Sequence, residues 1–426
     1  MVQYDILRPN DRPKLGHWIP LSFQHVFAMF GATILVPLLT GLDPATALFT
    51  AGTGTLIFIL CTGAKVPAFL GSSFAFIPPL IAISAAYGPS AALGGAMAAG
   101  VFYCLIAQII RFTGTSWLDK VLPPVVIGSV IVVIGLNLAP VAMGMAMNDV
   151  GGNYSLVSLS IAGFTLAVTV LASILLKGFF STIPILIGLV SGYFFTLIMG
   201  FIFPAYNIIS FEVVKDAPWF GFITFRAPSF SLVPILTFII VSLATICEHL
   251  GDVLVTSKVV GEDFYKKPGL HRTLTGDGLA TAWAAIWGGP PNTTYGENIG
   301  VMAITRVYSV WVIGGAAVIA VVLSFFKKFG AIIQTIPTPV LGGICMLLFG
   351  IIASSGLRTI VDNGVDYKDK RNLTISSVIL VIGIGGGILA FNITNDLVFS
   401  LSGVALATVV GIVLNLVFPK SSEVKG

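Results

Sequence analysis

The chain has 426 residues, 56% of them hydrophobic and only 9% charged, with a mean hydropathy of +1.00. A soluble domain carries roughly 25% charged residues, so the composition excludes a soluble fold and predicts a polytopic membrane protein. The net charge of +4 is spread over loops rather than gathered on one face, which excludes a nucleic-acid binder.

Residues 1–17 are polar and lack an apolar core segment, so they read as a cytoplasmic lead-in and not as a signal peptide. About 20 apolar residues cross a bilayer. On that measure the sequence predicts fourteen spans, near 18–39, 46–63, 67–84, 91–110, 121–146, 157–176, 180–203, 232–256, 273–288, 293–305, 308–326, 331–354, 373–391 and 400–418. The third, VPAFLGSSFAFIPPLIAIS, is interrupted by Gly-Ser-Ser, and the tenth, PPNTTYGENIGVMAI, is too short and polar for a continuous lipid-facing helix. The outer loop 204–231 carries Trp219, Phe220 and Phe222 and is expected along the membrane surface; 257–272 is expected as a charged cytoplasmic connection. The glycine run GIGGGIL at 383–389 is expected inside a span, as close helix packing rather than a phosphate loop.

Basic residues concentrate on cytoplasmic loops. With the N-terminus inside and the spans alternating, eighteen Lys and Arg fall inside. Only Lys215, Arg226, Lys327 and Lys328 fall outside, the last two expected to snorkel at an interface. An even number of spans with both termini in the cytoplasm follows. The two broken spans sit seven apart, and an odd-numbered repeat inverts its second copy. AFLGSSF and PPNTTY would then meet near the midplane as short extended strands, paired because exposed backbone is tolerated at that depth only when covered. Each leads into a half-helix whose first N–H groups are free to meet a carbonyl oxygen or an anion.

Charged side chains inside a membrane are costly and mark substrate or ion paths. Glu248, His249 and Asp252 form E-H-x-x-D in an otherwise apolar helix, with Glu248 and Asp252 on one face and His249 turned about 100° away. Two acids one turn apart are candidates for proton coupling, because proximity and burial together disfavour two charges. Glu297 stands in the polar run from Asn292 to Asn298. The alternative for the first group is a structural polar cluster satisfied by another helix, and for the second a re-entrant loop of purely structural use. Ser72 and Ser73 in the third span, and Gln24 and His25 in the first, are the remaining polar positions, the last two expected to brace a broken segment. No H-E-x-x-H, H-x-x-E-H or G-x-S-x-G pattern occurs, so neither a metal site nor a catalytic set is expected. Cys61, Cys104, Cys247 and Cys345 read as packed free thiols. Carboxylates that accept from N–H, helix N–H groups that donate to C=O, and aromatic side chains such as Phe74, Phe76 and Tyr295 describe a site for a small planar solute with both groups on its edge. A nucleobase such as uracil fits that description.

LSFQHVFAMFGATILVP, VPAFLGSSFAF, ICEHLGD, KKPGLHR, PNTTYGENIGVMAITRVYS and GIIASSGLR give the chain a resemblance, from about Pro13 to Pro419, to the nucleobase–ascorbate transporter (nucleobase:cation symporter) family in its bacterial uracil-transporting branch. The resemblance implies an all-α membrane protein of fourteen segments in two inverted seven-span repeats. It implies a core domain (18–112 and 232–327), a gate domain (113–231 and 328–419) and a cytoplasmic tail, 420–426. It further implies a homodimer and uracil uptake by proton symport, driven by the proton gradient with no cofactor. Carried over residue by residue, it makes Glu248 and Glu297 the groups that hold the base through its N–H groups. Phe74 and Gly296 would offer backbone N–H, with Phe74 lining the site and Tyr295 packing beside the ring. Asp252, His25, Ser73 and Asn292 would be coupling or accessory positions. Asp252 stands where the uracil branch resembled here carries His and purine-type members often carry Asp, whereas Glu297 stands where purine-type members usually carry Gln. Xanthine or uric acid is therefore the alternative substrate, and an anion exchanger of similar fold a more distant one.

Overall fold

A computed structural model of the protein describes residues 6–149, 151–202, 208–394 and 397–419. The first five residues of the expected lead-in, part of the outer loop and the expected tail 420–426 lie outside the described residues. The first half comprises α1 (Leu15–Thr40), α2 (Pro44–Cys61), strand β1 (Leu70–Ser72), a single 3-10 turn at Phe74–Phe76, α3 (Ile77–Tyr87) and α4 (Pro89–Thr113). It continues through α5 (Leu118–Val121), α6 (Pro124–Leu136), α7 (Ala139–Met147), α8 (Leu156–Leu175), α9 (Pro184–Ile202) and the short α10 (Glu212–Asp216). The second half comprises α11 (Leu232–Val260), α12 (Leu270–Trp287), β2 (Asn292–Thr294), α13 (Gly296–Thr305), α14 (Val310–Ser324) and α15 (Lys327–Gln334). It ends with α16 (Thr338–Asp362), α17 (Lys370–Ile384), β3 (Ile388–Thr394), β4 (Leu397–Ser402) and α18 (Gly403–Val417).

Among the described residues, eight helical stretches are long and apolar enough to cross a membrane: α1, α2, α4, α6 with α7, α8, α9, α11 and α16. The remaining expected spans hold shorter or less apolar helices. Their starts follow local chemistry. Proline opens α2, α4, α6 and α9, where its missing N–H is no loss, and Asp43 caps α2 by accepting from the Ala45 N–H.

Two expectations need correction. The twelfth span does not run unbroken from 331: α15 ends at Gln334, and α16 starts at Thr338 beyond Pro337. The glycine run at 383–389 does not continue a helix. The chain leaves α17 at Ile384, takes a left-handed turn at Gly386 (φ 68°) and enters the antiparallel hairpin β3–β4, with Ile388 opposite Ser402. Three consecutive glycines cost a helix roughly 1 kcal/mol each relative to alanine, and glycine readily adopts the left-handed turn found here.

The helices form two packing groups. In one, α12 lies against α2 and α4, α14 against α1 and α2, and α11 against α4. In the other, α16 packs on α6, α7 and α8, α8 on α9, and α17 on α18 and α6. Contacts of α11 with α6 and α18, and of α1 with α9, join the groups. Lys327 and Lys328, expected to snorkel, have partners: Lys327 Nζ is 4.0 Å from Asp43 Oδ2, and Lys328 Nζ donates to the Val214 carbonyl at 2.9 Å and lies 5.5 Å from the Trp219 ring centroid.

Candidate functional site

The two interrupted segments meet. β1 pairs antiparallel with β2 in the register Leu70–Thr294, Gly71–Thr293 and Ser72–Asn292. The ladder extends at both ends, with the Ser73 N–H donating to the Pro291 carbonyl (2.8 Å) and the Tyr295 N–H to the Phe69 carbonyl (3.0 Å). Threonine hydroxyls on two neighbouring helices satisfy backbone groups that the short ladder leaves over, and a strand serine bonds the backbone of a third. Thr55 of α2 accepts from the Leu70 N–H at 2.9 Å, Thr281 of α12 donates to the Asn292 carbonyl at 2.9 Å, and the Ser72 hydroxyl donates to the Thr33 carbonyl of α1 at 3.1 Å. Backbone polar groups that lack water must be paired, and hydroxyls at these positions do that without adding charge.

Tyr295 locks the crossing. Its hydroxyl donates to the Ser72 carbonyl (3.1 Å) and accepts from the Thr33 hydroxyl (3.3 Å), and the side chain is only 3% exposed. A Cβ at position 71 would collide with its ring, which explains Gly71. Asn292 points away from the crossing into α2, donating to the Thr50 carbonyl at 3.0 Å. His25 Nδ1 accepts from the Asn298 amide at 3.0 Å, and the same amide donates to the His25 carbonyl at 3.1 Å, tying α1 to α13. Gln24 donates to Thr182 at 3.1 Å. Ser73 is fully buried, and its hydroxyl has no partner among the described residues. Phe74 is buried and packs edge-on against Phe349 of α16, with centroids 5.8 Å apart.

Beyond the crossing lie the two half-helix starts. Neither Ser73, before the 3-10 turn, nor Tyr295, before α13, caps its helix with a side chain, so the first N–H groups keep their donor capacity. The first turn of α13 borders open space: Gly296 and Gly300 are exposed, and a Cβ on either would touch nothing within 4 Å. Glu297 stands in that turn, half-buried, where the helix dipole favours a carboxylate. α11 packs against α13, β2 and the 3-10 turn, and it brings Glu248 and Asp252, both half-buried, to the same place. Asp252 is held by the Thr294 hydroxyl of β2, which donates at 2.8 Å, whereas the buried Oε2 of Glu248 has no partner among the described residues. Two acceptor carboxylates thus flank two donor helix starts, an arrangement suited to the alternating donor and acceptor edge of a planar heterocycle.

Sequence reasoning missed Asp277 of α12. It is fully buried, and its Oδ2 lies 3.0 Å from His249 Nδ1. His249 Nε2 in turn lies 3.0 Å from the Thr273 hydroxyl, which donates to the Leu270 carbonyl. His249 therefore faces α12. The one signal available was an acid in the expected ninth span, TGDGLATAW. No cluster of three or more metal-ligating side chains occurs among the described residues.

The model of the permease family Xan_ur_permease matches residues 16–391. The chain is 53% identical to a uracil permease of Bacillus subtilis (strain 168) over 424 residues, covering 97% of this chain and 95% of that protein. It is 46% identical to a uracil permease of Escherichia coli (strain K12) over 411 residues, covering 96% and 93%. Among solved structures, SLC26A9 aligns with a TM-score of 0.68 at 11% identity, covering 95% of this chain and 66% of that one, a likeness of fold alone.

Proposed function

The chain belongs to the permease family, and from that premise we propose that it imports uracil by proton symport across the cytoplasmic membrane. It is an integral membrane transporter and not an enzyme. The observation that carries the substrate reading is the placement of Glu248 on α11, which packs against α13 and the 3-10 turn, and of Glu297 in the first turn of α13, beside two uncapped helix starts. In this reading the carboxylates accept from the N–H groups of the base. Backbone N–H of Phe74 and Gly296 donate to its carbonyl oxygens, and Phe74 walls the site. Tyr295 acts by holding β1 against β2, and Asn292 and His25 brace the same frame. Asp252, bonded to Thr294, is the candidate proton carrier, and the proton gradient is the driving force with no cofactor.

The architecture we propose has fourteen segments in two inverted seven-span repeats, with β1 and β2 at corresponding places in the halves. The α2–α4–α12–α14 group would be the core and the α6–α9 and α16–α18 group the gate. Both termini would be cytoplasmic and the protein a homodimer. The alternative of xanthine or uric acid rests on Asp252. The relatives at 46–53% identity are uracil permeases, which favours uracil. An anion exchanger is disfavoured by two carboxylates at the site.

The test is competition. Labelled uracil uptake should be blocked by excess unlabelled uracil and left largely intact by equal xanthine or uric acid. Strong block by xanthine would move the substrate to the purines.

A further inference from the structure

Residues 7–12, ahead of α1, lie along the connection between α13 and α14. Their sequence, LRPNDR, sets a tight turn. Pro9 supplies the fixed φ of its first corner, the Asp11 N–H closes it on the Arg8 carbonyl at 3.0 Å, and the Asp11 carboxylate accepts from the Arg8 N–H at 2.8 Å. The strap so formed runs parallel to 307–310. Leu7 bridges Val307, the Tyr308 N–H donates to the Leu7 carbonyl at 2.8 Å, and the Val310 N–H donates to the Pro9 carbonyl at 2.9 Å. The Arg12 guanidinium lies 3.7 Å from the centroid of the Trp311 ring. We propose, on the reading that Glu297 holds the base, that this strap is a positioning element for the substrate site: it fixes the far end of α13 and so keeps Glu297 in place, with Arg12 as its anchor.

α13 has ten residues, about 15 Å of helix. Its start is fixed by β2 and by the bonds between Asn298 and His25. Its end is not fixed by its own sequence. Arg306 closes it in the left-handed conformation (φ 57°), donating its N–H to the Met302 carbonyl at 2.8 Å. A side chain makes that conformation costly, and it persists only where neighbours impose it. The start of α14 is equally dependent on its surroundings. The Ser309 hydroxyl, in the capping position, donates to the Asp11 carbonyl at 2.6 Å and makes no capping bond. The first N–H of α14, that of Val310, has no partner within its own helix and is met by Pro9 of the strap. Leu21, Val307 and Val312 are buried, with Leu7 and Trp18 packed on them, and the Trp18 indole donates to the Trp311 carbonyl at 2.6 Å. The strap supplies the bonds and the apolar cover that the α13–α14 connection lacks by itself.

The consequence for binding follows from how α13 is restrained. Gly296, Gly300 and Ala303 on one of its faces are exposed, so its position is set by α1 and α11 on the other side and by its two ends. Glu297 and the first N–H groups of the helix move together, because all belong to one short rigid element. Loosening the far end lowers the fraction of molecules with Glu297 in place, and the apparent affinity for ligand falls in proportion to that fraction. The number of binding sites does not change. A strap that only stabilised the fold would act the other way round, altering how many sites are folded and leaving the affinity of each as it was.

The experiment is equilibrium binding of labelled uracil to the full purified chain in neutral detergent, which reads the Kd and the number of sites together. R12A should raise the Kd about two- to fivefold with the number of sites unchanged. R12K, which keeps a cation over Trp311, should bind as the wild type does. S309A, which removes the bond to Asp11, should shift the Kd in the same direction as R12A. A second reading needs no ligand. Hydrogen exchange of the amides in 296–310 should be faster in R12A than in the wild type, with β1 unchanged. An unchanged Kd in both R12A and S309A, with or without a loss of sites, overturns the proposal. If the wild type binds no uracil, it is the assignment of the base to Glu297 that fails. Hydrogen exchange then decides the strap on its own, faster exchange in R12A upholding its grip on α13 and equal exchange overturning it.

Discussion

At the scale of single residues, the account stands on carboxylates that differ in how they are held. Glu248 keeps an unpartnered buried oxygen, whereas Asp252 is bonded to Thr294. Hydrogen bonds to a charged group contribute about 1.5–3 kcal/mol, roughly ten- to a hundredfold. Glu248→Ala and Glu297→Gln should each lower uracil uptake by at least that factor with membrane insertion unchanged, as read by labelled uptake normalised to protein in the membrane. If Asp252 carries the proton, Asp252→Asn should abolish uphill accumulation and preserve exchange of labelled for unlabelled uracil. Accumulation in that variant that still collapses with a protonophore would exclude the role. Glu248, Asp252 and Glu297 were legible in the sequence because a charge inside an apolar run is conspicuous. The Asp277–His249 pair was not, since its meaning depends on α12 packing beside α11 and no spacing records that. Breaking a buried pair costs about 3–5 kcal/mol. Asp277→Ala and His249→Ala should therefore each lower the thermal midpoint, and the double variant should lose less than the two losses added together.

At the scale of elements, the decisive one is the β1–β2 crossing. Its existence was legible from two breaks in the apolar sequence, GSS and PPNTTYGEN, each too polar or too glycine-rich for lipid. Its bracing was not. That Tyr295 would cover Gly71 rather than stand open beside a ligand depends on the crossing angle of two chain segments far apart in sequence. Tyr295→Phe removes the hydroxyl shared by Thr33 and Ser72, and leaving such buried partners unpaired costs about 1–3 kcal/mol. Its thermal midpoint should fall while the uracil competition profile keeps its order. Gly71→Val should be worse, because the ring must leave the crossing altogether. The hairpin β3–β4 escaped the sequence reading for another reason. Hydropathy registers that GIGGGIL is apolar, but it does not register that three glycines in a row weaken the helix enough for extended pairing to replace it.

At the scale of the whole molecule, the two packing groups are what alternating access would move against each other. Phe74, beside the crossing, meets Phe349 of α16 in the other group. Cysteines at these two positions, in a background without Cys61, Cys104, Cys247 and Cys345, should allow a short bifunctional cross-linker to stop uptake. Unchanged uptake after complete cross-linking would show that the groups do not separate there. The alternation of basic residues carries the expectation of an even number of spans with both termini inside, whereas the division into packing groups appears only in which helices touch. Proton-driven uracil import can be measured as labelled uracil uptake into cells that lack their own uracil permease, with and without a protonophore. Uracil should accumulate above the external concentration, and the accumulation should collapse when the gradient is dissipated. Uptake that only equilibrates and ignores the protonophore would contradict proton-driven import.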